Sequence, residues 1–315
     1  MNKNPLISIV VPIYNGEKYI PDLLNCLTHQ TYKNFEVLLI DDMSTDNSVK
    51  IISEYVANDS RFKLYCRTTK GGTAVAGQEY AMPLCTGDYY FFMSQDDFMD
   101  PDLLEKCISR AIKTNADIVM PNMVLYYEGK NNPKALDYPL NGDYETFLDA
   151  KTAFCLSLDW RVHGFVLRKM DLVKRIGYHA TYYNSCEYAG RKMFLYANKI
   201  AFVDTNFYYR QDNPDAITKT IKWFTVDILT TDLMLVDLAI KHKCPRSIIR
   251  ERIRVLRRAL CGWTKQIDNP AFTSTQKKYI QTACRNAFCK LMKLSLQWQV
   301  FNRPIKFIIR GIKCI

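Results

Sequence analysis

The first hundred residues alternate between short apolar runs rich in β-branched residues and stretches with helical spacing, which restricts the chain to few folds. Four strands are predicted, at Leu6–Val11, Phe35–Ile40, Phe62–Cys66 and Tyr89–Met93. The spacing predicts helices between them, at Lys18–Thr28 and Ser48–Val56. Strands that alternate with helices of this length build a parallel sheet covered on both faces. The pattern therefore indicates an α/β protein.

The remaining residues divide into a mixed segment and a basic helical segment. Strand-like runs at 117–124 and 200–209 and helical runs at 144–156 and 189–197 suggest that the sheet continues to about residue 218. Residues 219–315 are almost entirely helical in pattern and carry 20 Lys and Arg against 5 Asp and Glu. Three regions are expected: a nucleotide-binding half at 1–112, an acceptor-binding half of the same domain at 113–218, and a helical basic region at 219–315.

Composition excludes several classes of protein. Aromatic residues make up 13% of the chain, which argues against disorder. Eleven cysteines form no CxxC pair or zinc-like cluster, so reduced thiols are expected. The N-terminus does not resemble a signal peptide, and no apolar run is long enough to span a membrane. The expected location is the cytoplasm.

Polar residues follow the predicted strands, where α/β sheets bind ligands. After the first strand, Pro12 precedes Tyr14, Asn15 and Glu17; the tyrosine could stack on a base while the polar groups contact ribose or phosphate. An ordinary strand-to-helix turn would explain the same residues.

Two pairs of aspartates follow two of the other strands. Asp41 and Asp42 would be costly to bury without a partner, and a nucleoside N–H or a ribose hydroxyl is suitable. Asp96 and Asp97 follow the fourth strand, and a carboxylate pair in that position suits Mn²⁺ or Mg²⁺.

Three segments occur in one order: PIYNGEKY, then HQTYKNFEVLLIDDMSTDNS, then TGDYYFFMSQDDFMDPDLLEK. Together they resemble the inverting family 2 glycosyltransferases of the GT-A fold. The resemblance implies a Rossmann-like nucleotide-sugar domain with a mixed central sheet. It also implies a nucleotide-sugar donor, a UDP-sugar as first choice, bound across Pro12, Tyr14, Asp42 and Asp96, with Asp97 as a metal ligand beside Asp96.

The resemblance extends more weakly into residues 150–218. It implies that Glu187 is the general base that deprotonates the acceptor and that Arg210 meets the diphosphate charge. His163 is interpreted as a structural histidine. Trp160 could stack on a sugar, but packing in the core is the preferred interpretation.

The chain departs from the family pattern at several positions. Ser94 stands where many relatives have an aspartate, and Cys186 stands where they often have a second acid. Gln78 and Glu79 lie in a stretch that has lost an expected arginine and asparagine, leaving Lys70 as the only obvious basic substitute for diphosphate contacts.

These departures keep other functions open. A catalytically degenerate scaffold or binding protein would bind nucleotide or a partner without turnover, and a nucleotidyltransferase would also need a parallel sheet with metal-binding aspartates. No recognised motif supports nucleic-acid binding. The expected partners are a nucleotide-sugar and a glycan or lipid-linked acceptor. The basic C-terminal tail, residues 298–315, suits either an interfacial helix on an anionic membrane, at the inner face of the cell membrane, or an ordinary packing helix.

Overall fold

A computed structural model describes residues 4–130, 134–136, 142–179 and 183–300. The chain separates into two compact units. The first consists of Met1–Ala180 and Ala189–Pro214, and the second of Thr181–Tyr188 and Asp215–Ile315. The three-region division stays a prediction.

The described part of the first unit is built on one mixed sheet. Its strands are β1 (Ile7–Ile13), β2 (Phe35–Asp41), β3 (Phe62–Cys66), β4 (Tyr89–Phe92), β5 (Phe98–Met99), β6 (Ile118–Tyr126), β7 (Lys134–Leu136), β8 (Leu167–Lys169) and β9 (Ile200–Arg210). Their spatial order is β3-β2-β1-β4-β8-β6-β9-β5, with β7 paired to β6. Strands β3, β2, β1 and β4 run parallel to one another. Strand β8 runs antiparallel to both of its neighbours, β4 and β6, and β6 runs parallel to β9.

The helices that alternate with these strands are α1 (Ile20–Thr28), α2 (Ser48–Val56), α3 (Ala74–Ala81), α4 (Leu103–Thr114), α5 (Ala150–Ser157), α6 (Met170–Ile176) and α7 (Ser185–Tyr196). The first residues of α7, up to Tyr188, belong to the second unit. The main core contains the apolar stripes of α1, α2 and α4 and one face of the central strands. Those strands are buried on both sides, which is why β2 has seven buried residues in a row and shows no polar alternation.

The described part of the second unit is helical. It contains α8 (Ile228–Lys241), α9 (Arg246–Thr264) and α10 (Ser274–Gln297). The predicted stripe of α9 is confirmed, because Ile249, Ile253, Leu256 and Leu260 are all buried. Among the described residues, no helix is long and apolar enough to cross a membrane.

Candidate active site

The sheet topology brings most of the predicted residues to one edge. Strands β1, β2 and β4 are parallel neighbours, so the loops that follow them leave the sheet at the same side. The loop after β1 begins at Tyr14, the loop after β2 at Asp42, and the loop after β4 contains Asp96 and Asp97. This edge is the candidate active site.

Gln95, which was not predicted, joins two of these loops. Its side chain accepts a hydrogen bond from the Tyr14 N–H at 2.9 Å and donates one to the Tyr14 carbonyl at 3.0 Å. The amide group thus pairs with the backbone as a neighbouring strand would. Gly16 leaves room for it, since a Cβ there would lie 2.5 Å from Gln95 Oε1. The β1 and β4 loops are therefore held together as one surface.

Tyr14 and Lys70 form an exposed pair at this edge. Tyr14 is 40% exposed. The ammonium of Lys70 lies 3.9 Å from the ring centroid and donates a hydrogen bond of 2.6 Å to the tyrosine hydroxyl. An exposed ring next to a cation offers a stacking surface and a positive charge together.

Asn15 and Glu17 connect the β1 loop to the β2 loop. Asn15 Oδ1 accepts a hydrogen bond of 2.8 Å from the Thr45 N–H, and Glu17 Oε2 accepts one of 2.9 Å from the Asn47 N–H. Both side chains thus support the loops, and their direct contact with a donor stays a prediction.

The carboxylates of Asp41 and Asp42, at the end of β2, have hydrogen-bond partners within the protein. Asp41 accepts a hydrogen bond of 3.1 Å from the Ser44 N–H. Asp42 accepts hydrogen bonds of 2.7 Å from the N–H groups of Gly71 and Gly72 and forms an ion pair of 3.2 Å with Arg67. These partners offset the cost of burying the Asp42 charge, so its burial alone does not require a nucleotide. Their contact with a nucleotide stays a prediction.

Helix α3, which was not predicted, packs tightly against the end of β1. A Cβ on Gly77 would lie 2.9 Å from Pro12 Cβ. Gln78 is 1% exposed and accepts a hydrogen bond of 3.1 Å from the Tyr90 hydroxyl. Gln78, one of the departures from the family pattern, therefore serves packing between helix and sheet.

Asp96 and Asp97 differ sharply in their surroundings. Asp97 is 2% exposed, and its carboxylate accepts hydrogen bonds from the N–H groups of Arg210 (3.0 Å) and Ser94 (3.3 Å). Burial, together with the charge of Asp96, raises the pKa of Asp97 well above its usual range. Asp96 is only partly buried, and one of its oxygens, Oδ2, accepts a hydrogen bond of 2.6 Å from Asn213. Asp96 is the better placed of the two to bind a ligand.

Arg210 is surrounded by protein groups. Its side chain is 7% exposed. Its Nε donates a hydrogen bond of 3.0 Å to the Asp96 carbonyl, and its Nη1 lies 3.5 Å from carboxylate oxygens of Glu128 and Asp212. The guanidinium also packs 5.2 Å from the Tyr19 ring centroid. These contacts hold the Arg210 side chain against the Asp96 backbone, and its contact with a diphosphate stays a prediction.

Glu187 lies in the first turn of α7 and is partly buried. Its N–H donates a hydrogen bond of 3.0 Å to the Asn184 carbonyl. A glutamate is favourable at a helix N-terminus in any protein, because the dipole there is positive. Its role as a general base stays a prediction.

His163 has the structural role expected for it. It is 3% exposed, its Nε2 lies 2.8 Å from the Pro121 carbonyl, and its Nδ1 accepts a hydrogen bond of 3.2 Å from the Phe165 N–H. The first contact requires a proton on Nε2, and the second requires a free lone pair on Nδ1. The neutral ring satisfies both. Burial lowers the pKa of His163 to about 4, and the charge of Arg168 acts in the same direction.

This histidine should make the protein less stable in mild acid. Because its pKa is lower in the folded state than in the unfolded state, the unfolded chain binds more protons between pH 6.5 and 4. The contribution of His163 to the free energy of unfolding should therefore fall by about 2 kcal/mol between pH 7 and pH 5. Urea unfolding at the two pH values measures this loss. A His163→Gln variant should be less stable at pH 7 but lose less on acidification; an equal loss in both proteins would contradict the assignment.

A comparison with protein-family models identifies one match, Glycosyl transferase family 2, over residues 8–176. Among curated proteins, the glycosyltransferase GlyG of Streptococcus pneumoniae is 28% identical over 224 residues, which are 68% of this chain and 73% of GlyG. An uncharacterised glycosyltransferase of Haemophilus influenzae is 37% identical over 145 residues, which are 46% of this chain and 57% of that protein. The match thus spans little more than half the length of the second relative.

A comparison with solved structures finds proteins with a similar fold. Residues 1–349 of Staphylococcus aureus TarS, crystallised in complex with UDP, superpose with a TM-score of 0.63 at 16% identity. The superposition covers 98% of this chain and 88% of that one. The α/β architecture is therefore that of a solved protein with a mixed sheet and flanking helices.

Proposed function

The chain belongs to glycosyl transferase family 2, and from this premise we propose that it transfers a sugar from a nucleotide-diphosphate sugar to a hydroxyl group. The acceptor is a glycan or a lipid-linked molecule, and the product belongs to a surface polysaccharide. The donor of first choice is a UDP-sugar, since the superposed TarS fragment was crystallised with UDP.

One observation carries the proposal: a partly accessible carboxylate, that of Asp96, and an exposed tyrosine, Tyr14, belong to two loops that are hydrogen-bonded together at the carboxyl edge of the sheet. Asp96 directly follows Gln95, whose side chain holds Tyr14 by both backbone groups. Tyr14 in turn is paired with Lys70. A base stacked on Tyr14 would bring its diphosphate towards the Asp96 loop, where a negative charge is unfavourable unless a cation accompanies it.

A divalent cation fits the oxygen atoms available at this edge. The described residues contain no cluster of three or more His, Cys, Asp or Glu that would form a complete metal cage. Asp96 Oδ1, however, has no hydrogen-bond partner among those residues, and the neighbouring Asp97 is buried. Mg²⁺ and similar ions are commonly held by one or two carboxylates with substrate phosphates and water. We therefore assign Asp96 as the main ligand and Asp97 as a support. A divalent ion held there would supply positive charge against the leaving diphosphate.

The residues of the chain have separate roles in the proposed reaction. The acceptor oxygen forms a bond to the anomeric carbon while the bond from that carbon to the diphosphate breaks on the opposite face, which inverts the configuration. Glu187 takes the proton of the acceptor hydroxyl. Arg210 and Gln95 hold the Asp96 loop in place, so that the donor is bound in one geometry.

The proposal is tested by measuring donor binding and turnover. UDP-, GDP- and dTDP-sugars are titrated by calorimetry with Mn²⁺, with Mg²⁺ and with a chelator, and release of the nucleoside diphosphate is followed. We expect one donor class to bind with metal dependence and to be slowly hydrolysed. If a donor binds but is not turned over even when acceptors are present, the chain would be a catalytically degenerate scaffold or binding protein. Diphosphate release from a nucleoside triphosphate would favour a nucleotidyltransferase.

The prediction that the basic tail contacts an anionic membrane concerns residues that are mostly outside the described part of the chain. Residues 301–315 carry most of that segment. Peripheral association with the inner face of the cell membrane therefore stays a proposal that rests on sequence alone.

A further inference from the structure

Trp160 is not a core residue, contrary to the preferred interpretation of the sequence. The residue is 39% exposed, although indole is a large and mainly apolar side chain. Its backbone has φ +68°, in the left-handed region. That region is uncommon for residues other than glycine and unfavourable for bulky ones.

Local structure would favour a different residue here. Helix α5 ends at Ser157, and the Trp160 N–H donates a hydrogen bond of 3.3 Å to the Ser157 carbonyl. A left-handed residue soon after a helix end is usually glycine or asparagine. A tryptophan at this position therefore has a conformational cost and gains little from burial. Residues that contradict local preference in this way are expected at functional sites.

The loop that carries Trp160 is fixed on both sides. Before the tryptophan it is continuous with α5, and after it Val162 is buried and its N–H donates to the Leu156 carbonyl at 3.3 Å. His163 is locked by its two hydrogen bonds, and the buried Arg168 donates a bond of 2.6 Å to the Gly164 carbonyl. The exposed indole is thus presented by a rigid segment and is not the result of a loose loop.

One face of the indole is covered by a cation. The guanidinium carbon of Arg191 lies 5.3 Å from the ring centroid, and Arg191 is itself 8% exposed, with Nε donating a bond of 3.0 Å to the Ser157 carbonyl. A buried cation behind the ring supports it by a cation–π contact. Beside the ring, Asp159 and Arg161 form an exposed ion pair of 2.8 Å that offers hydrogen-bonding groups.

The strand pairing shows on which side of the sheet the loop with Trp160 lies. Strand β8 is antiparallel to β4, with Tyr90 opposite Arg168, so the residues before β8 lie beside the end of β4. The stacked rings of Phe92 and Phe165, with centroids 6.1 Å apart, show this directly. In the order β1-β4-β8, Tyr14 and Trp160 therefore belong to loops on opposite sides of the Asp96 loop.

We propose that Trp160 is the platform on which a sugar ring of the acceptor stacks. The C–H face of a pyranose packs against the exposed indole face, and its hydroxyls reach polar groups such as those of Asp159 and Arg161. This inference rests on the proposed transferase function, and it adds that the acceptor end that is recognised is a sugar ring, not only a lipid or a phosphate. Stacking on a preformed platform avoids the entropy of ordering a loop on binding.

The test compares Trp160→Ala and Trp160→Tyr with Phe147→Ala. Phe147 is a matched control, because it is 41% exposed and has the cations of Arg110 and Lys199 at 5.3 and 4.9 Å. It lies beside Leu148, which pairs with the first residue of β9, at the opposite edge of the sheet. The acceptor probes are methyl glycosides of glucose, galactose and N-acetylglucosamine, offered with the donor that binds.

We expect Trp160→Ala to raise the KM for the accepted glycoside about tenfold, the loss expected for one aromatic contact, while UDP affinity changes less than about twofold. Trp160→Tyr should restore most of the loss, and Phe147→Ala should have no effect. The same glycoside should change the tryptophan fluorescence of the parent protein but not that of Trp160→Tyr. An unchanged KM in Trp160→Ala, or a donor that is hydrolysed while no glycoside is used or bound, would overturn the inference. Failure of every nucleotide-sugar to bind would instead refute the proposed function.

Discussion

Replacing Asp96 with asparagine is expected to lower the rate of sugar transfer about a hundredfold to a thousandfold. The asparagine keeps the size of the side chain and can still accept the hydrogen bond from Asn213. It removes the charge proposed to hold the divalent ion, so nucleotide binding should also lose most of its dependence on Mn²⁺ or Mg²⁺. Calorimetric titration of UDP with and without metal measures the second effect independently of turnover.

Asp97→Asn is the matched control for this experiment. Asp97 is buried and accepts backbone hydrogen bonds from Arg210 and Ser94. An amide can accept only at its oxygen, so one of these N–H groups would face another donor, at a cost of about 1–3 kcal/mol in the free energy of unfolding. The variant should therefore unfold at lower urea but keep metal-dependent binding. The opposite result, with metal dependence lost only in Asp97→Asn, would restore Asp97 as the principal ligand.

Much of the first unit could be predicted because its strands are buried on both faces. The run of β2 is buried along its whole length and bounded by turns, and its predicted and observed ends agree within one residue. The family resemblance, drawn from three segments in order, is confirmed by the family match, and the α/β fold by the superposed structure. A short, continuous apolar run that is bounded by turns is best explained as a buried strand.

Helix α3 and strand β8 were missed because neither has a recognisable local pattern. The helix contains Gly77 and buries Gln78, so its apolar stripe is short, and its stability comes from packing against Pro12. The strand has three residues and includes Arg168, a buried cation that would be assigned to the surface from sequence. Its pairing with β4 joins residues far apart in the chain.

The roles of several site residues could not be assigned because they depend on neighbours that are distant in sequence. Gln95 seemed to be one more polar residue in a loop, yet its amide joins two loops through the backbone of Tyr14. Arg210 was predicted from the family resemblance to meet the charge of a diphosphate, and that contact stays a prediction. Its burial among carboxylates and aromatic rings became visible only once β9 was placed beside β5 and β6. The order of residues along the chain predicts which edge of the sheet carries the candidate site. It does not predict which side chains at that edge remain accessible.

Glu187→Gln is expected to reduce sugar transfer about a hundredfold to ten-thousandfold, the range associated with losing a general base. Glutamine keeps the length of the side chain and its ability to accept a hydrogen bond at one oxygen, but it cannot take a proton from the acceptor. Affinity for the nucleotide should be unchanged, because the base acts on the acceptor alone. Single-turnover measurements with a fixed donor and saturating acceptor separate the chemical step from binding.

The pH dependence distinguishes a catalytic role from a structural one. In the parent protein, kcat should fall in acid as the base becomes protonated, and this acidic limb should disappear in Glu187→Gln. A glutamate that only stabilises the start of α7 would behave differently: its replacement would lower the free energy of unfolding by about 0.3–1 kcal/mol and leave kcat and its pH profile nearly unchanged. That second result would assign the base to another residue and would leave the donor site at Asp96 intact.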